Sequence, residues 1–72
     1  MTLFELGRTG IETLVDEWIV GYDAETRRGI LKRRLLDGRT YEQLAEEFGK
    51  SPRRIQDIVH EGEKILYRHI SG

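Results

Sequence analysis

Apolar residues along the chain recur at helical spacing, in four blocks separated by glycine-containing breaks. In the first block Ile11, Leu14, Val15, Trp18 and Ile19 fall at i, i+3, i+4, i+7 and i+8, which draws one stripe down a helix. Thr9 and Glu12 stand at capping-box spacing in front of it and Gly21 can stop it, so the pattern predicts a helix over 10–20. Asp23 is the next predicted N-cap, with Glu25 in the first turn where the helix dipole favours an acid. The second helix then runs over 24–36 with Ile30, Leu31 and Leu35 inward. Asp37-Gly38 closes it. Thr40 and Gln43 form a second capping-box pair ahead of Leu44, Ala45 and Phe48, which predicts a short third helix over 41–48 ending at Gly49. Ser51 caps the fourth, Pro52 takes the first helical position, and Ile55, Ile58, Val59, Gly62, Ile65, Leu66 and Ile70 hold a stripe over 52–69. The fold class expected is all-α: a small four-helix domain containing a helix-turn-helix.

Composition narrows what such a domain can be. Seventy-two residues fit one domain, which buries roughly 60% of the surface its unfolded chain exposes. With no cysteine there is neither a disulfide nor a thiolate zinc site, so helix packing must supply the stability, and a homodimer would add to it. A reducing, cytoplasmic setting is the simplest reading. The N-terminal residues lack the basic start and long apolar run of a signal peptide, and no stretch is apolar enough to suggest a membrane partner.

Charge changes the picture more. The formal net charge is −1, yet residues 1–26 hold one base and six acids, a net of −5, while residues 27–72 hold eleven bases and seven acids, a net of +4. Such asymmetry fits a polyanion-binding end, and it also fits ordinary solvated helix faces. Five of the bases, Arg27, Arg28, Lys32, Arg33 and Arg34, crowd one side of the second helix, which is expected to face solvent or phosphate.

The relation between helices three and four carries the functional argument: a short helix, the turn Gly49-Lys50-Ser51, and a longer helix. Counting from Tyr41, a helix-turn-helix asks for a small residue at the fifth place, glycine at the ninth, and aliphatics at the fifteenth and eighteenth. The chain supplies Ala45, Gly49, Ile55 and Ile58. A larger side chain at the fifth place would push the helices apart, glycine accepts a positive φ, and the two isoleucines anchor the second helix. The side chains opposite Ile55 and Ile58 are Arg53, Gln56, Asp57 and His60. Arginine can bridge guanine, glutamine can bridge adenine and a carboxylate can accept from cytosine, so these four are the candidate base readers. Arg39, Thr40, Lys50, Arg54 and Lys64 flank them and suit phosphates, which position a protein without reading sequence. Trp18, Tyr41 and Phe48 lie on or beside apolar stripes and read as core rather than as stacking platforms.

The run Arg33-Arg34-Leu35-Leu36-Asp37-Gly38-Arg39-Thr40-Tyr41-Glu42-Gln43-Leu44-Ala45-Glu46-Glu47-Phe48, then Ser51-Pro52-Arg53-Arg54-Ile55-Gln56-Asp57-Ile58 and Glu63-Lys64-Ile65-Leu66, resembles region four of sigma-70 type factors of bacterial RNA polymerase. Residues 24–70 carry the resemblance and residues 1–23 form an N-terminal segment with one helix. The resemblance implies a domain that recognises promoter DNA through its last helix and touches the polymerase flap. Pro52 and Asp57 depart from the family's usual side chains, so its base preferences do not carry over. The chain also has no room for the region with which sigma factors grip polymerase and melt DNA, which suggests a small sigma-like regulator of the kind found on phages and mobile elements. The expected function is sequence-specific binding of double-stranded DNA to regulate transcription. The rival is a protein-interaction module that docks on polymerase or another factor, with the acidic first helix as its partner surface. No Ser-His-Asp or Cys-His constellation suggests an enzyme, no glycine loop suggests a phosphate cofactor, and His60 and His69 lack the flanking ligands of a metal site.

Overall fold

In a computed structural model, residues 3–70 are described; they form a 3-10 turn at Leu3–Leu6 and four α-helices: α1 (Gly7–Trp18), α2 (Ala24–Asp37), α3 (Tyr41–Phe48) and α4 (Pro52–Ile70). No strand occurs among the described residues.

The apolar spacing places every helix, and the caps decide its ends. Thr40 and Gln43 form the reciprocal box: the Gln43 N–H donates to Thr40 Oγ1 (3.1 Å) and the Thr40 N–H donates to Gln43 Oε1 (2.9 Å). At the start of α4 the Arg54 N–H donates to Ser51 Oγ (3.1 Å). Gly38 and Gly49 both sit at φ +66°, the left-handed conformation that ends a helix at no steric cost to glycine. After Gly49 the Lys50 N–H returns to the Ala45 carbonyl (3.0 Å), so the turn into α4 is tied to α3.

Helix α1 departs from expectation at both ends. It starts at Gly7, next to the 3-10 turn, so Thr9 lies inside the helix and its box with Glu12 does not form. It stops at Trp18, and Gly21 (φ +95°) belongs to the loop beyond. Asp23 does occupy the N-cap position of α2, but in the left-handed region (φ 53°) and without a side-chain bond to the helix. Asp and Asn tolerate that region better than other side chains, so here Asp23 shapes the turn rather than capping through its carboxylate.

The core has two parts. Ile11, Val15 and Ile19 of the N-terminal segment pack with Leu31 and Leu66, bordered by Leu6, Leu14, Leu35, Leu36, Ile65 and Ile70. Ile30, Leu44, Ala45, Ile55, Ile58 and Val59 form the second part, with Tyr41 and Phe48 against it. Neighbouring residues of α2, Ile30 and Leu31, therefore enter different halves, and α4 spans both. Where α2 crosses α4, Gly62 is buried against Leu31, whose side chain fills the space a Cβ at position 62 would need.

Trp18 is not core. It is 40% exposed and stacks face to face on His69 of α4, ring centroids 3.5 Å apart. The buried end of the stripe is taken instead by its neighbour Ile19, which is fully enclosed with Leu31 and Leu66.

Candidate nucleic-acid interface

Helix α4 is amphipathic over 19 residues, about 28 Å at 1.5 Å per residue. Ile55, Ile58, Val59, Gly62 and Leu66 are buried, so the side chains at Arg53, Asp57, His60 and Lys64 point away from the bundle. All four are exposed. Gln56 is half-buried on the flank of the helix and reaches out less than the other three candidate base readers. The C-terminal half of α4 holds α1, whereas its first turns, 52–60, rest only on α2 and α3 and leave their outer side open.

Four of the five candidate phosphate contacts lie toward that end, whereas Lys64 is exposed farther along α4, in a hollow with His60, Glu63, Tyr67 and Arg68. Arg39 and Thr40 are exposed at the start of α3, and Lys50 is half-buried in the turn between α3 and α4. Arg54 lies on the opposite flank, where it lines a shallow hollow with Arg27, Asp57, Ile58, Glu61 and Ile65. Thr40 has a structural duty as well, since its hydroxyl oxygen accepts from Gln43. The side chains of Arg39, Lys50, Arg54 and Lys64 make no ion pair and no hydrogen bond with another described residue.

The basic side of α2 is the main correction to the sequence reading. Each of its five bases is half-buried and engaged with another group of the fold. Arg28 Nε donates to the Ile19 carbonyl (2.7 Å), and Arg27 donates to the carbonyls of Val20 (3.2 Å) and Tyr22 (2.9 Å). Together they bond three carbonyls of the segment that follows α1. Lys32 pairs with Asp16 of α1 (2.8 Å). Arg33 pairs with Glu47 and lies over the Phe48 ring (5.2 Å), and Arg34 donates to the Arg39 carbonyl (2.8 Å) and lies over Tyr41 (4.5 Å). Tyr41 and Phe48 thus serve as core edges and as platforms for arginines. Arg33 also donates to the Gly29 carbonyl of its own helix (3.4 Å), but each of the five has a partner outside α2, which the local charge run could not reveal.

Arg53 and Asp57, one helical turn apart, form the single ion pair found on the outer side of α4 among the described residues (Nε to Oδ1, 3.5 Å). Val20 and Tyr22 are exposed in the loop that Arg27 and Arg28 pin, near Trp18 and the acids Glu17, Asp23 and Glu25, which have no ion-pair partner among the described residues. No helix among the described residues is long and apolar enough to cross a membrane.

Comparison of the chain with protein-family models, with curated proteins and with solved structures finds no match.

Proposed function

We propose that the chain is a sequence-specific, double-stranded DNA-binding transcriptional regulator in which α3 and α4 act as a helix-turn-helix of the sigma region four kind. The observation that supports it best is the outer side of α4: its first turns expose Arg53, Asp57 and His60, and unpaired bases flank them, while the bases of α2 are taken up inside the fold. A helix of this width fits the major groove, about 12 Å across, with its N-terminal turns leading and the preceding helix lying across the backbone. Arg53, Gln56, Asp57 and His60 then face base edges, and Arg39, Thr40, Lys50, Arg54 and Lys64 face phosphates. The reading assigns no reaction and no cofactor.

Selection of bound duplexes from a random pool, followed by titration of variants on the selected and a scrambled duplex, tests it. Arg53→Ala is expected to cost about 1 to 3 kcal/mol on the selected duplex alone. Lys50→Ala and Arg54→Ala are expected to weaken both duplexes alike and to lower the salt slope by about one unit each. No loss for any of the three would remove α4 from a DNA interface.

A second reading keeps the fold but makes its partner a protein, RNA polymerase through its flap or another factor. It is favoured by the acidic N-terminal segment and the exposed Trp18, Val20 and Tyr22. Recovery of the chain on isolated flap without DNA, lost in Tyr22→Ala, would support it.

A further inference from the structure

The pairing of Arg53 with Asp57 has little value to the helix itself. Both side chains are largely in solvent, 83% and 51% exposed, and the base precedes the acid, the less favourable order against the helix dipole. On a DNA-binding face Asp57 could accept from a cytosine, but its carboxylate is also repelled by the phosphates around it. The geometry of the pair resolves both points. Asp57 Oδ1 lies nearest Nε, on the inner edge of the guanidinium, and the two terminal nitrogens of Arg53 donate to no described residue. Those nitrogens form the fork that spans O6 and N7 of guanine.

We propose, resting on the DNA-binding reading above, that Asp57 is a specificity-determining positioning residue: it holds the Arg53 side chain across one turn of α4 so that its fork is presented to a guanine, and does not itself read a base. A free arginine must lose its rotamer freedom on docking, and a carboxylate four residues along takes up part of that loss beforehand. The negative charge further disfavours a phosphate as the partner of Arg53 and leaves the base edge as the better one.

The test is a cycle of wild type, Arg53→Ala, Asp57→Asn and the double variant, each titrated on the selected duplex, on the same duplex with the Arg53-dependent guanine replaced by adenine, and on a scrambled duplex. Wild type should prefer the guanine by about five- to hundredfold, the range for a bidentate contact. Asp57→Asn should reduce that preference by about two- to tenfold, the value of one immobilised side chain, while binding the scrambled duplex at least as well as wild type. In the Arg53→Ala background Asp57→Asn should change nothing further in the preference. An equal loss of affinity for the selected duplex in both backgrounds would mean that Asp57 contacts a base directly, and an unchanged preference in Asp57→Asn would mean that it positions nothing; either overturns the proposal while leaving α4 on DNA. Wild type that selects no sequence at all would remove the underlying reading and the proposal with it. Both residues are exposed, so matched helicity and melting of the four proteins confirm that only recognition has been altered.

Discussion

Single side chains in this domain carry tasks that their neighbours in sequence do not announce. Arg28 is the clearest case, because its Nε meets the carbonyl of Ile19 at 2.7 Å in a half-buried setting and so finishes α1 from a different helix. A cation at the negative end of a helix and a charge-assisted bond act in the same direction there. Arg28→Ala is expected to lower stability by about 1.5 to 3 kcal/mol, read from urea unfolding, with Arg28→Lys recovering only part because an ammonium lacks the planar edge. Stability equal to wild type would mean that water serves the Ile19 carbonyl equally well. None of this was legible locally: a run of five bases on one helix reads as a polyanion surface until Ile19, Asp16 and Glu47 are brought beside it by the fold. Trp18 failed for a related reason. Its place on the stripe is set by helical period, while the fold encloses its neighbour Ile19 and leaves Trp18 stacked on His69 at the rim.

At the scale of elements the sequence is far more transparent, because caps and stripes act within a few residues. The Thr40–Gln43 box, Ser51 and the two left-handed glycines fix α3 and α4 where the pattern puts them. Helix α1 is displaced because its start is set by a 3-10 turn and Gly7, for which apolar spacing has no signature. The crossing of α2 and α4 poses a contest of magnitudes. Replacing glycine by alanine inside a helix gains about 1 kcal/mol of propensity. At Gly62, however, the new Cβ would stand 2.7 Å from Leu31 Cδ2 and 3.0 Å from its Cγ, so the whole branch must move within a fully buried site. Overpacking of that kind costs about 1 to 3 kcal/mol and should win. Gly62→Ala is thus expected to lower the melting temperature in the wild-type background and to raise it in Leu31→Ala, where the space is vacated. The same sign in both backgrounds would show that the crossing is looser than the packing implies.

For the whole molecule, the division between engaged and free bases sets how strongly DNA binding should respond to salt. If Arg39, Lys50, Arg54 and Lys64 neutralise four phosphates, the logarithm of affinity should fall with the logarithm of salt at a slope of about −4. Adding the five bases of α2 would steepen it to about −8. The internal bonds of α2 favour the smaller value, and Lys32→Ala should leave the slope as it is. A slope near −8 would mean that those bonds open onto the backbone when DNA arrives. The charge pattern of the sequence suggested a basic two thirds of the chain; the fold narrows the usable part to the end where α3 meets α4.

The two-part core also implies that the molecule need not open all at once. Ile11, Val15 and Ile19 enter one cluster only, so α1 can lift away while Ile30, Leu44, Ile55 and Val59 stay enclosed. Amide protons of α1 should then exchange with solvent deuterium through a local opening of lower free energy than that governing Leu44, Ala45 and Ile58. Val15→Ala should speed exchange in α1 while leaving α3 nearly untouched, and a uniform acceleration through all four helices would reveal a single cooperative unit. In the first case the acidic arm is a hinged piece, able to detach from a reading head that keeps its shape.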